Sequence, residues 1–176
     1  MQNWRDNLQI SQDLVMSVNL STRQLSSSEL VGHVSQILED TGFDPHQLWL
    51  EVTENTLIQN LADVRQQMED LRELGIRIKI DDFGTGYSSL SYLKNLPVDG
   101  FKIDRSFVMD LENSGQQLIK TLVALGHDLG LAEVAEGVET EFQRDYLRSI
   151  NCDYAQGYLM SKPISAAAIQ ASILAK

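Results

Sequence analysis

Short apolar runs rich in β-branched residues recur along this chain, each followed by a longer stretch of helical period, and that alternation admits few folds. Six runs read as strands: Leu14 to Leu20, Leu48 to Val52, Ile76 to Ile80, Gly100 to Ile103, Leu131 to Ala135 and Tyr154 to Gly157. Apolar strands separated by helices pair in parallel, because the return path between parallel strands needs a crossover. The helices show as apolar stripes. Leu30, Val31, Val34 and Leu38 follow the Ser26-Ser27-Ser28 cluster, whose hydroxyls can cap a helix, and stop at Gly42. Leu61, Val64, Met68, Leu71 and Leu74 make a second stripe ended by Gly75, and Leu118, Leu122, Leu125 and Leu129 a third. Thr140 is placed to cap a helix through Ile150, and Ser165 to cap a terminal one that buries Ile169 and Ile173.

Six βα units in 176 residues fall short of a closed eight-unit barrel, which typically needs about 250. The pattern fits an α/β barrel of the (β/α)8, TIM-barrel-like kind with two units missing, or an open doubly wound sheet. With 43% hydrophobic and 22% charged residues, the chain has the make-up of one globular domain. A net charge of -11 excludes a broad surface for duplex nucleic acid but leaves room for a small anion where cations reverse the field locally. Cys152 is the single cysteine, so an intrachain disulfide and a thiolate zinc cluster are both excluded, as befits a cytoplasmic protein. No stretch has the character of a signal peptide or the roughly 18 apolar residues of a span, so any membrane attachment would have to come from a segment not present here.

The unusual polar residues gather at the carboxyl ends of the predicted strands, which is the functional edge in either architecture. Val18-Asn19-Leu20-Ser21, Glu51-Val52-Thr53-Glu54, Asp81-Asp82-Phe83-Gly84, Lys102-Ile103-Asp104, Ala135-Glu136-Gly137-Val138-Glu139 and Gln156-Gly157-Tyr158 each close a strand. Side by side, these ends would crowd carboxyl groups into one mouth, where Lys102 alone cannot balance their charge. Oxygen donors without histidine or cysteine point to Mg²⁺ or Mn²⁺, and adjacent Asp81 and Asp82 suit a pair of ions. Taken singly, these residues have plainer readings: Asp81-Asp82 as a loop start or cap, Asn19 as a turn former, Glu54, Glu139 and Lys102 as solvated charges. Gly84-Thr85-Gly86 is too short for a phosphate-binding fingerprint and reads as a tight loop. The joint placement at strand ends is what favours a site.

In this order, and with the run Asp81-Asp82-Phe83-Gly84-Thr85-Gly86-Tyr87-Ser88-Ser89-Leu90, the motifs resemble the EAL-domain family of bacterial cyclic-di-GMP phosphodiesterases over essentially the whole chain. The resemblance implies a modified eight-stranded barrel that hydrolyses cyclic-di-GMP to linear pGpG with two divalent ions. By motif position, Asn19, Glu51 and Asp81 would hold one ion, and Asp81, Asp82 and Glu136 the second. Lys102 would orient the attacking water, while Asp104, Gln156 and Glu139 would support substrate and metal waters. Glu54 would anchor the loop after Asp82, and that loop, Phe83 to Ser89, resembles a dimer-coupled segment, so a homodimer is expected.

The family's eponymous Glu-Ala-Leu tripeptide does not occur in residues 1–176. Trp4 to Val18 resemble the approach to the family's third strand, so the expectation is a single partial domain over 1–176 whose first two strands and one metal-binding glutamate lie upstream. A chain starting at Met1 would then bind metal weakly, turn over little substrate and expose edge strands that seek partners. An inactive binding or regulatory module is the alternative function. Two departures concern packing: Lys79 stands two residues before Asp81 on its face of the strand, needing a partner or a lowered pKa, and Glu133 takes a strand position where an apolar residue is usual. Their alternation places them on opposite faces, which disfavours a Lys79–Glu133 pair.

Overall fold

The computed structural model describes residues 14–85 and 93–174, with side chains throughout except at 58–63, 170 and 172–174. Readings that fall on Trp4 to Asp13, Gly86 to Leu90, or the side chains of Leu61 and Ile173 lie outside the described residues. In chain order the elements are β1 (Met16–Asn19), α1 (Thr22–Leu25), α2 (Leu30–Thr41), β2 (Leu48–Thr53), α3 (Glu54–Glu73), β3 (Arg77–Phe83), β4 (Gly100–Ile103), α4 (Arg105–Met109), α5 (Gln116–Leu129), β5 (Ala132–Glu136), α6 (Glu141–Ser149), β6 (Tyr154–Gln156) and α7 (Ala166–Leu174).

All six strands pair in parallel, in the unbroken order β1-β2-β3-β4-β5-β6. A doubly wound sheet needs a point where strand order reverses, and this sheet has none. Right-handed crossovers in one direction put every connecting helix on the same side and leave the other side to curl. The curl is strong. Trp49 on β2 meets Tyr154 on β6 edge-on, with ring centroids 5.8 Å apart, although four strand spacings in a flat sheet would separate the two strands by about 19 Å. The fold is therefore an incomplete, TIM-barrel-like (β/α) sheet.

Alternation along the strands divides residues between the two sides. Leu50 and Val52, Ile78 and Ile80, Phe101 and Ile103, and Ala135 join Val64, Met68, Leu71, Ile119, Val123 and Leu147 in the core between sheet and helices. Trp49 and Glu51, Lys79, Lys102 and Val134 are buried on the concave side instead. There Lys79 lies with its Nζ 3.2 Å from the Trp49 ring centroid and 5.4 Å from that of Tyr154. Burial lowers its pKa to about 8 despite the nearby Glu51, and the two ring faces offset part of that desolvation. Glu133 is on the other side of the sheet and fully buried, so the disfavoured Lys79–Glu133 pair does not form.

Local chemistry explains the element ends, with some changes from the sequence reading. Ser21 caps the short α1: its hydroxyl accepts from Gln24 N, and the Gln24 side chain accepts from Ser21 N; of the Ser26–Ser28 cluster, the Ser27 hydroxyl accepts from Glu29 N at 3.4 Å, one residue before α2. Glu29 precedes α2 without a side-chain cap, and Gly42 ends it at φ 60°. Helix α3 starts at Glu54, directly from the strand, and so reaches well before Leu61. Thr140 forms a full capping box with Gln143, and the Ser165 hydroxyl accepts from Ala168 N at 3.3 Å. The third stripe is rotated by one residue. Ile119, Val123 and Gly126 are the buried line of α5, flanked by Leu122, Leu125 and Leu129, whereas Leu118 is 46% exposed.

That rotation separates two neighbouring substitutions. Ile119→Ala should destabilise the protein by about 2–5 kcal/mol, and Leu118→Ala by less than about 0.5 kcal/mol, in chemical denaturation; equal losses would contradict the assigned face.

Candidate active site

Lys102, in the middle of β4, points into the concave side and is 7% exposed, with its Nζ 2.8 Å from Glu51 Oε2, 2.9 Å from Asp81 Oδ1 and 2.7 Å from Glu136 Oε1. One ammonium thus joins carboxylates from β2, β3 and β5. Burial alone would lower the lysine pKa, but hydrogen bonds to Glu136, Glu51 and Asp81 outweigh it and carry the pKa above its usual value, so Lys102 stays charged. Burial also raises the pKa of Glu136, with Lys102 pulling the other way.

The second aspartate reaches this cluster through a break in the strand. Successive residues of a regular strand face opposite sides, which would send Asp81 and Asp82 apart. Strand β3 instead runs on past Ile80 to Phe83, its register against β4 shifts between those two residues, and Asp82 adopts φ 55°. A bulge of this kind re-aims a side chain. Asp81, Asp82 and Glu136 each bring a ligand atom within 4.8 Å of the others. Burial first, then the charges of Asp81 and Asp104, raise the Asp82 pKa. Three carboxylates this close, beside Glu51 and with no imidazole or thiolate among them, fit a hard divalent cation such as Mg²⁺ or Mn²⁺.

The remaining predicted residues surround this centre at different distances. Asn19 is exposed on edge strand β1, level with Glu51 in the register. Glu54 is not a solvated charge: it is 3% exposed, and its Oε2 accepts a hydrogen bond of 3.0 Å from Gly84 N, tying the start of α3 to the turn after Asp82. Gly84 takes φ 97° there, and a Cβ would come within 2.8 Å of the Phe107 ring. Asp104 caps α4, accepting from Ser106 N at 2.9 Å. Gln156 pairs in register with Glu136, and Glu139 is exposed with its backbone N–H given to Gln143. Glu136, Glu139 and Gln156 line one cleft together with Arg105.

The sequence reading did not single out Arg105, although it follows Lys102-Ile103-Asp104 directly and brings a cation to the cleft lined by Glu136, Glu139 and Gln156. It also passed over the hydroxyls of Thr22, Thr53 and Thr56, which form a chain of 2.7 Å and 2.9 Å contacts joining α1, the end of β2 and α3 beside Glu51. Thr53 lies inside the Glu51-to-Glu54 motif, and only the fold shows what it touches.

This fold and this ring of strand-end carboxylates define a class of protein, and comparison with known sequences agrees. The EAL domain model matches residues 1–163. The chain belongs to the EAL domain family. It is 44% identical over 159 residues to the cyclic di-GMP phosphodiesterase NbdA of Pseudomonas aeruginosa, covering 89% of this chain and 20% of that protein. The bifunctional diguanylate cyclase/cyclic di-GMP phosphodiesterase MucR of the same species is 42% identical over 163 residues, covering 92% and 24%. The chain thus spans about a fifth to a quarter of the length of these relatives. Among solved structures, the EAL domain of Mycobacterium smegmatis DcpA superposes with a TM-score of 0.91 at 40% identity, over 98% of this chain and 78% of that one. The PaMucR phosphodiesterase in complex with c-di-GMP gives 0.88 at 40% identity, over 96% and 68%. The Klebsiella pneumoniae BlrP1 complex with manganese and cyclic-di-GMP gives 0.78 at 34% identity, over 85% and 39%.

Removing the central cation leaves the buried Glu51 and the half-buried Asp81 and Glu136 facing one another without a counter-charge. Lys102→Met should destabilise the metal-free protein by about 3–5 kcal/mol, and added Mn²⁺ should raise its melting temperature more than that of the unmodified protein. Thermal melts with EDTA and with Mn²⁺ measure both, and indistinguishable responses would contradict the shared-cation arrangement.

Proposed function

We propose that this chain carries the catalytic face of a phosphodiesterase that opens cyclic-di-GMP to linear pGpG with the help of two Mg²⁺ or Mn²⁺ ions. The observation that carries this reading is the convergence of Glu51, Asp81, Asp82 and Glu136 at the carboxyl ends of neighbouring parallel strands. Relatives named as cyclic di-GMP phosphodiesterases support the substrate, and a relative solved with manganese and cyclic-di-GMP supports the choice of a divalent ion.

Asn19, Glu51, Asp81, Asp82 and Glu136 would hold the ions, with Asp81 as the carboxylate common to both. When bound, such ions supply Lewis acidity that activates water at neutral pH and stabilises charge on the phosphoryl oxygens. Lys102 stays protonated, so it acts as a fixed positive charge and hydrogen-bond donor that orients the carboxylates and the attacking water, not as a proton acceptor. Arg105 offers a second cation at the edge of the cleft for an anionic ligand that the net charge of -11 would otherwise repel. Gln156 and Glu139 line the same cleft, where they can hydrogen-bond the substrate and its waters. Asp104 fixes the backbone between Lys102 and Arg105 through its cap on α4. Glu54, by holding Gly84, keeps the turn beside Asp82 in place. A further metal-binding glutamate would come from upstream of residue 1. The working unit is a cytoplasmic homodimer coupled through the loop that begins at Phe83.

Chromatography of cyclic-di-GMP incubated with Mg²⁺ or Mn²⁺ and either this chain or its upstream-extended form tests the proposal. The extended form should yield pGpG, and no product from either form would refute the enzyme reading. In the active form, Asp81→Asn should lower turnover at least about a hundredfold, since it removes a charge common to both ions; near-normal turnover would refute the two-ion assignment.

A further inference from the structure

At the opposite end of the sheet from the lysine cluster, Glu133 presents an unusual problem. It is the second residue of β5, 0% exposed on the helix side, and neither carboxylate oxygen has a hydrogen-bond partner. A buried carboxylate in this position needs a cation or a proton. The fold makes room for it: a Cβ on Gly126, in α5, would overlap the Glu133 carboxylate. Two other donors approach the same point. His127, in the last turn of α5, brings its Nε2 to 3.5 Å from Glu133 Oε2, and Asp153, just before β6, brings a carboxylate oxygen to within 4.8 Å of both. Two ligands at about 2.0–2.1 Å from a tetrahedral ion stand about 3.3 Å apart, close to the separation already present between His127 and Glu133.

We propose that His127, Glu133 and Asp153 form a second metal site, separate from the strand-end carboxylate cluster, which takes a divalent cation of the zinc class and ties the end of α5 to the starts of β5 and β6. One imidazole nitrogen with two carboxylates is a donor set for zinc and its neighbours, whereas Mg²⁺ favours oxygen donors alone. His127 and Asp153 are exposed, so the ion has an entry path and water can complete its coordination. The rival occupant is a proton. Burial and the Asp153 charge push the Glu133 pKa up to about 7, with His127 opposing them, and a proton held between the two carboxyls would also relieve the buried charge.

Equilibrium dialysis of chelator-stripped protein against zinc, in excess Mg²⁺ to fill the oxygen-only positions, distinguishes the two. The unmodified protein should bind one more equivalent of zinc than His127→Ala, whose side chain is 44% exposed and can be removed without disturbing the core. Zinc should also raise the melting temperature of the unmodified protein more than that of His127→Ala. The paired replacement Gly126→Ala with Glu133→Val, which fills the space with apolar atoms, should stay folded and likewise lose the zinc equivalent. Equal zinc binding by the unmodified protein and His127→Ala, or none by either, would overturn the metal site and leave the shared proton as the occupant.

Discussion

The structure depends on one ammonium group. Lys102 lies on a central strand of a curled sheet, and the carboxylates of Glu51, Asp81 and Glu136 reach it from both sides. Without a cation at that point, the acidic ends of β2, β3 and β5 would repel one another where the curl brings them closest. With it, repulsion becomes three charge-assisted hydrogen bonds in a water-poor setting. The same lysine thus supports the curvature of the sheet and holds carboxylates in a metal-ready array. Lower on the concave side, Lys79 between Trp49 and Tyr154 fills the lumen with a cation cushioned by rings.

Two small irregularities convert that array into a site. The register shift in β3 and the left-handed backbone of Asp82 allow consecutive aspartates to serve one cluster, which a regular strand forbids. Strain of this sort needs support from its surroundings. Glu54 supplies it from the first turn of α3 by holding Gly84, and the Thr22, Thr53 and Thr56 hydroxyls bind together the elements around Glu51. The charged residues that face the mouth are therefore backed by polar contacts as well as by the apolar core under the helices.

Much of this could be read in the amino-acid sequence, for physical reasons that also mark the boundary. The four central strands, β2 to β5, were legible because buried parallel strands need runs of apolar residues, and Asn19, Glu51, Asp81, Lys102, Glu136 and Gln156 stood out because polar residues end the strand runs. Helix caps were legible where chemistry was local, as at Thr140 and Ser165. Periodicity misplaced Leu118 because leucines on both flanks of the α5 stripe outnumber the Ile119, Val123 and Gly126 line that is buried. The bulge at Asp82 was hidden because Asp81-Asp82 looks like the start of a loop. Partnerships across the barrel could not be seen at all: Lys79 finds Trp49 and Tyr154 from distant strands, and Gly126 clears space for Glu133 from the neighbouring helix.

The central claim is that strand-end carboxylates gathered by Lys102 form a place for two divalent cations. Anomalous diffraction from crystals grown with Mn²⁺ tests it most directly. In crystals of the upstream-extended form, the account predicts two manganese peaks about 3.5–4 Å apart, with Asp81 between them and Glu136 and Asp82 against one. A map with no manganese at Asp81, or with Lys102 turned away from a cluster that still holds its shape, would contradict it.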